Sequence, residues 1–120
     1  MYNIQVINQF NNIVMSYIRK EKEYEHTIHE LISLINESPG FYPAYKQIAE
    51  ICLYKNDLEY AIAVFKNMLP EDKHKIGSHY GLGCVYNYQL DCRNSFLHLK
   101  KAVEEARLPL DFSAIEIVEK

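Results

Sequence analysis

The chain has 120 residues, 48% of them hydrophobic and 24% charged, a balance that supports one globular domain and excludes disorder over most of its length. Thirteen basic against sixteen acidic residues leave a net charge of −3, so there is no basic footprint for nucleic acid. No window approaches the ~20 apolar residues that span a bilayer, and Cys52, Cys84 and Cys92 contain no CxxC pair, so reduced thiols in the cytoplasm are the expectation.

Apolar periodicity predicts helices in chain order at about 3–20, 24–37, 42–55, 58–69, 76–89 and 92–106, with a final one at about 110–119. Pro39, Pro43, Pro70 and Pro109 fall at predicted ends or first turns, where a missing N–H is tolerated. Glu23, Asp57 and Asp91 precede the second, fourth and sixth helices; aspartate is a good N-cap, and glutamate is favourable beside the helix dipole. No linker or low-complexity segment interrupts the chain, so a single domain over 1–120 is the expectation.

The helices repeat. Val14, Ile48 and Leu82 are spaced by 34 residues, and at that offset Met15/Ala49/Gly83, Ile18/Cys52/Tyr86 and Tyr24/Leu58/Cys92 also align. In the second half of the unit the columns read Thr27/Ala61/Ser95, Ile28/Ile62/Phe96, Leu31/Phe65/Leu99, Leu34/Met68/Ala102 and Ile35/Leu69/Val103, all apolar or small. Gly83 and Ala49 are expected to face Ser95 and Ala61, because small residues let paired helices approach closely. Met15 against Thr27 predicts a wider first pair. Cys92 falls in a core column, where a free cysteine packs as a small hydrophobe.

A 34-residue helix-turn-helix unit with an aromatic-x2-Leu-Gly-x2-Tyr start and an Ala-x3-Phe second half resembles the tetratricopeptide repeat (TPR) family. The third unit carries Leu82-Gly83-x2-Tyr86, and the second carries Tyr45-x2-Ile48-Ala49-x2-Cys52 with Ala61-x3-Phe65. The first unit departs most, with Asn11 where an aromatic is usual, and keeps the unit-ending proline as Pro39. The resemblance covers about residues 8–107 and implies an all-α fold: a right-handed superhelical array of about three TPR-like pairs, at about 8–41, 42–75 and 76–109, plus a C-terminal capping helix.

The resemblance also implies that the first helix of each pair lines a concave groove. The expected partner-binding residues are Asn12, Ser16 and Arg19, then Lys46, Glu50, Leu53 and Tyr54, then Tyr80, Cys84, Asn87 and Tyr88. Tyrosines are enriched in cores as well as at interfaces, so packing competes with partner contact as their role. Some TPR domains grip a C-terminal carboxylate with lysine, asparagine and arginine; Gly77, Tyr80 and Gly81 stand where such a clamp would need basic side chains, which disfavours it.

Other chemistry finds little footing. His26 and His29 share a helix face beside Glu25 and Glu30, but no third metal ligand is in sight, and surface histidines on amphipathic helices are commonplace. Cys84 and Cys92 on one helix pair suggest redox sensing, against their simpler role as packed thiols. There is no phosphate loop, nucleophile elbow or split carboxylate pair, so neither an enzyme nor a cofactor is expected.

The expected function is a protein-interaction module, chaperone or adaptor that holds a segment of a client protein, without nucleic acid or membrane as partner. Arrays of this size also resemble the cytosolic chaperones of bacterial type III secretion. The alternative is a self-associating structural subunit. In the C-terminal helix Leu110, Ala114, Ile117 and Val118 form one apolar stripe, leaving Phe112 and Ile115 to be covered by a second copy, as in a homodimer, or by a client.

Overall fold

The computed structural model describes residues 2–106, and among these every regular element is helical. The elements are α1 (Ile4–Ile18), α2 (Tyr24–Glu37), α3 (Tyr42–Tyr54), α4 (Leu58–Met68), a 3-10 turn (Asp72–His74), α5 (Lys75–Tyr88) and α6 (Cys92–Ala106). The expected C-terminal helix, with Phe112 and Ile115, lies outside the described residues. The side chain of Asn3 starts α1 by accepting from the Gln5 N–H at 2.7 Å, and Pro43 occupies the first turn of α3, where its missing N–H costs nothing.

The acidic column before α2, α4 and α6 behaves as a cap only once. Asp91 Oδ1 accepts from the Asn94 N–H at 3.2 Å, whereas Glu23 and Asp57 make no side-chain cap. The Asp57 carboxylate instead accepts a 2.8 Å bond from the Tyr24 hydroxyl, tying the start of α2 to the start of α4.

Three helix ends share one turn. At the ends of α1, α3 and α5 the residues Lys20, Asn56 and Leu90 take positive φ of 60°, 54° and 62°. The N–H groups of the following acids, Glu21, Asp57 and Asp91, reach back to the carbonyls of Ser16, Cys52 and Tyr86 at 3.1, 2.8 and 2.8 Å. This is the Schellman arrangement, which satisfies carbonyls the helix end would leave bare. Leucine is poorly suited to that backbone, because its Cβ crowds the carbonyl. Leu90 is also 85% exposed, so it gains little from packing. Leu90→Gly is therefore expected to raise stability by about 1 kcal/mol, read as a higher denaturation midpoint, while Lys100→Gly in the exposed part of α6 lowers it by a similar amount.

The three turns also reveal where the repeat slips. Asn56 and Leu90 lie 34 residues apart, but Lys20 and Asn56 lie 36 apart, so the first turn carries two additional residues before α2 resumes the 34-residue register. This shift corrects the first-helix columns: Met15 and Ile18, expected among the packed positions, are 42% and 61% exposed. The face of α1 that packs on the core is Val6, Ile7, Phe10, Ile13 and Tyr17. No residue of α1 is fully buried, and because Met15 turns outward it does not stand opposite Thr27, so the reason for expecting a wider first pair falls.

The core lies between α2, α3, α4 and α5. Consecutive helices pack on each other, α3 also packs directly on α5, and α5 with α6 forms the most intimate pair. Gly83 allows that intimacy: a Cβ there would strike the Leu99 side chain, and Ser95 Oγ donates to the Gly83 carbonyl at 2.8 Å. Ala49 and Ala61 are fully buried in the second pair. Between the second and third units two aromatic rings supply the contact, Tyr45 against Gly77 and Phe65 against Gly81. Tyr45 and Phe65 are fully buried and stacked on one another at 6.4 Å. Each such ring contributes about 1.5–3 kcal/mol by leaving water. Cys92 is corrected: it is exposed at the first position of α6, because the turn rather than the core column sets its orientation.

Candidate functional site: the tyrosine strip of α3 and α5

The i, i+4 spacing of helical residues lines up Tyr42, Lys46, Glu50 and Tyr54 along α3, and Tyr80, Cys84 and Tyr88 along α5. Because α3 packs on α5, the two rows meet. The rings of Tyr42 and Tyr80 stand edge to face with centroids 6.2 Å apart. Lys46 Nζ and Glu50 Oε1 pair at 4.0 Å between the tyrosines, so the strip carries one cation and one anion that offset each other.

The titration behaviour traces the same neighbourhood. Burial is the main reason that Tyr42, Tyr80 and Tyr88 are harder to ionise than free tyrosine, and it pushes Tyr88 up to about 12, with Cys84, Glu50 and Tyr54 adding to the effect. The Cys84 thiol is pushed up to about 11, again chiefly by burial, although its contact with Tyr80 and the nearby Lys46 oppose this. Cys52 is pushed up to about 12 by burial. These two thiols stay protonated at neutral pH, and thiolate chemistry needs the opposite displacement.

Of the residues expected in the groove, the structure brings together Lys46, Glu50, Tyr54, Tyr80, Cys84 and Tyr88. Leu53 and Asn87 are exposed near the ends of α3 and α5. The α1 residues stand apart. Asn12 lines a depression with Glu30, Ser33, Leu34 and Glu37 of α2, Arg19 lies 3.8 Å from Glu21 within its own turn, and the Ser16 carbonyl serves the Schellman bond. Tyr42 was missing from the expected set, although its place at the head of the Tyr42-Lys46-Glu50-Tyr54 row was legible as a spacing.

A second group, built from histidines, has no sequence signal at all. His79 of α5 and His98 of α6 face each other with Nδ1 atoms 3.0 Å apart, one ring donating and the other accepting, and Tyr86 stacks on His98 at 5.5 Å. His74, in the 3-10 turn, is 2% exposed; Glu71 Oε2 lies 3.1 Å from its Nδ1 but off the line of a hydrogen bond. Burial lowers the proton affinity of all three imidazoles. Lys101 is close to both His79 and His98, with Lys75 and Lys66 adding positive charge, an arrangement hostile to a bound cation. His26 is exposed and 3.8 Å from Glu30, and among the described residues no group of three or more His, Cys, Asp or Glu gathers to hold a metal.

No described helix is long and apolar enough to cross a membrane. Comparison with protein-family models, curated proteins and solved structures gives no match to this chain.

Proposed function

We propose that this chain is a tetratricopeptide-like interaction module, stacked as a right-handed superhelical array, whose tyrosine strip on α3 and α5 holds a segment of a client polypeptide. The observation that carries the reading is the strip itself: the half-buried Tyr42, Tyr80 and Tyr88, gathered around a self-neutralised Lys46–Glu50 pair. Large rigid aromatics offer contact area at low entropic cost, which suits them to interface anchoring. Support for the array comes from the 34-residue columns, the recurring Schellman turn and the direct packing of α3 on α5.

Client capture from native cytoplasm, followed by affinity measurement on the purified pair, tests the reading. Tyr88→Ala is expected to weaken binding about 30-fold, the equivalent of ~2 kcal/mol for a hot-spot aromatic. Tyr54 is 81% exposed, so Tyr54→Ala is expected to weaken binding less while leaving the melting temperature unmoved. Normal binding by both variants would remove the strip from consideration as the docking face.

A further inference from the structure

Helix α1 differs from the rest of the chain in what it shows to water. Its fifteen residues, Ile4–Ile18, contain no charged side chain, whereas every other described α-helix carries at least one. Ile4, Asn8, Asn11, Met15 and Ile18 are all exposed, and the three apolar ones among them are so to 73%, 42% and 61%. Their spacing alternates between four and three residues, so the five form one seam along the helix. It runs on a different side from the row of Val6, Phe10, Ile13 and Tyr17 that packs on the core.

Water is an unusual neighbour for such a seam. A solvent-facing stripe ordinarily carries charges, and a helix that is apolar on two sides ordinarily has a partner on each. The helix-ending turns give a second measure. Met15 precedes the positive-φ residue Lys20 by five positions, as Ile51 precedes Asn56 and Val85 precedes Leu90. Ile51 and Val85 are 1% and 0% exposed, so only in α1 does this position lie open.

The chemistry of the seam specifies its cover. A four-three alternation is the spacing by which one α-helix interdigitates with another, and an extended segment has no use for it. A charged partner is disfavoured, because its charge would be desolvated against α1 without a counter-ion. The partner must also satisfy Asn11, at the middle of the seam; an amide both donates and accepts, so a second asparagine does so. Another copy of α1 meets all three conditions at once: the matching spacing, no like-charge repulsion, and an amide for Asn11. We infer that two copies of this chain associate through α1, with Ile4, Met15 and Ile18 packing into the same seam of the second copy and Asn11 facing its counterpart. The contact runs along about 22 Å of helix, short for a protein interface, so the dimer is reversible, with a dissociation constant on the order of 10 µM.

Sedimentation equilibrium of the full chain, from about 1 to 200 µM, tests this. The mass is expected to rise with concentration from 14.1 kDa toward twice that value. Met15→Lys and Ile18→Lys put like charges into the seam at exposed positions, so each is expected to weaken association at least about tenfold while the melting temperature holds. Asn11→Leu replaces the central amide with an apolar side chain and is expected to tighten association about tenfold. Leu97→Lys, at a 46% exposed apolar position of α6, is expected to leave it unchanged. A wild-type chain that stays monomeric across the range overturns the inference. So does a dimer indifferent to all three α1 substitutions, since its contact then lies elsewhere, or one that Leu97→Lys weakens as much as Met15→Lys does.

Discussion

Gly77→Ala is expected to lower the stability of the chain by about 2 kcal/mol, although alanine is the better helix former by ~1 kcal/mol. The new Cβ would run into the Tyr45 ring. That ring is fully buried, stacked on Phe65 at one face, and fixed at its far end by the 2.7 Å bond its hydroxyl donates to the Pro39 carbonyl. It can retreat only by surrendering that bond or pushing the Phe65 stack, and overpacking of about 1–3 kcal/mol combines with a lost bond worth ~1 kcal/mol. Gly40 is the internal control, since a Cβ there meets nothing within 4 Å and its φ is not positive; Gly40→Ala is expected to be neutral or to stabilise by up to about 1 kcal/mol. Urea denaturation at constant m-value separates the two. Restoring room with Tyr45→Leu in the Gly77→Ala background should recover part of the loss, as coupled neighbours do. Matching midpoints for Gly77→Ala and Gly40→Ala would show that the two units do not meet through this ring.

Acid is expected to remove about 2 kcal/mol of stability between pH 7 and pH 4 through His98, with His79 and His74 acting in the same direction. In the unfolded chain each imidazole titrates near its ordinary 6.5, whereas in the fold His98 is lowered to about 4, first by burial and then by the positive charges of His79, Lys101 and Lys66. His79 moves in the same direction through burial, Lys101 and Lys75, with Glu105 opposing, and His74 does so through burial, with Glu71 opposing. The unfolded chain therefore binds more protons below pH 6.5, so stability is complete above that pH and falls as pH drops toward 4. Full burial would make the His98 displacement worth about 3 kcal/mol; its partial exposure reduces this to about 2, and the other two histidines act in the same direction. The physical event is that a pair of rings with nitrogens 3.0 Å apart can share one proton but repels when both rings are charged. Thermal midpoints of wild type and His98→Gln at pH 7, 5.5 and 4.5 check this, with a shallower slope expected for the variant. Identical slopes would place the acid-sensitive groups elsewhere.

The helix boundaries were legible because they rest on local physics. Apolar periodicity, Pro43 in a first turn and Asp91 as a cap act within a few residues, so the positions expected for α2, α3, α4 and α6 agree with the observed ones to within a residue or two. The first-helix register was not legible, because two additional residues before Tyr24 leave the periodicity of each helix intact and change only how one helix is set against the next. Met15 and Ile18 were accordingly placed inside and lie largely outside.

The tyrosine strip divides in the same way. Sequence alone determined an all-helical chain, six of its helices, and the i, i+4 rows that carry Lys46, Glu50 and Tyr54 on one helix and Tyr80, Cys84 and Tyr88 on another. Tertiary structure alone decided that those rows adjoin, that Tyr42 belongs with them while Asn12 does not, that Gly77 and Gly81 exist to receive Tyr45 and Phe65, and that His79 meets His98. The reason is range: a row on one helix follows from a 3.6-residue period, but which rows touch depends on side-chain volumes summed across residues 16 to 38 positions apart, and no local pattern records that sum.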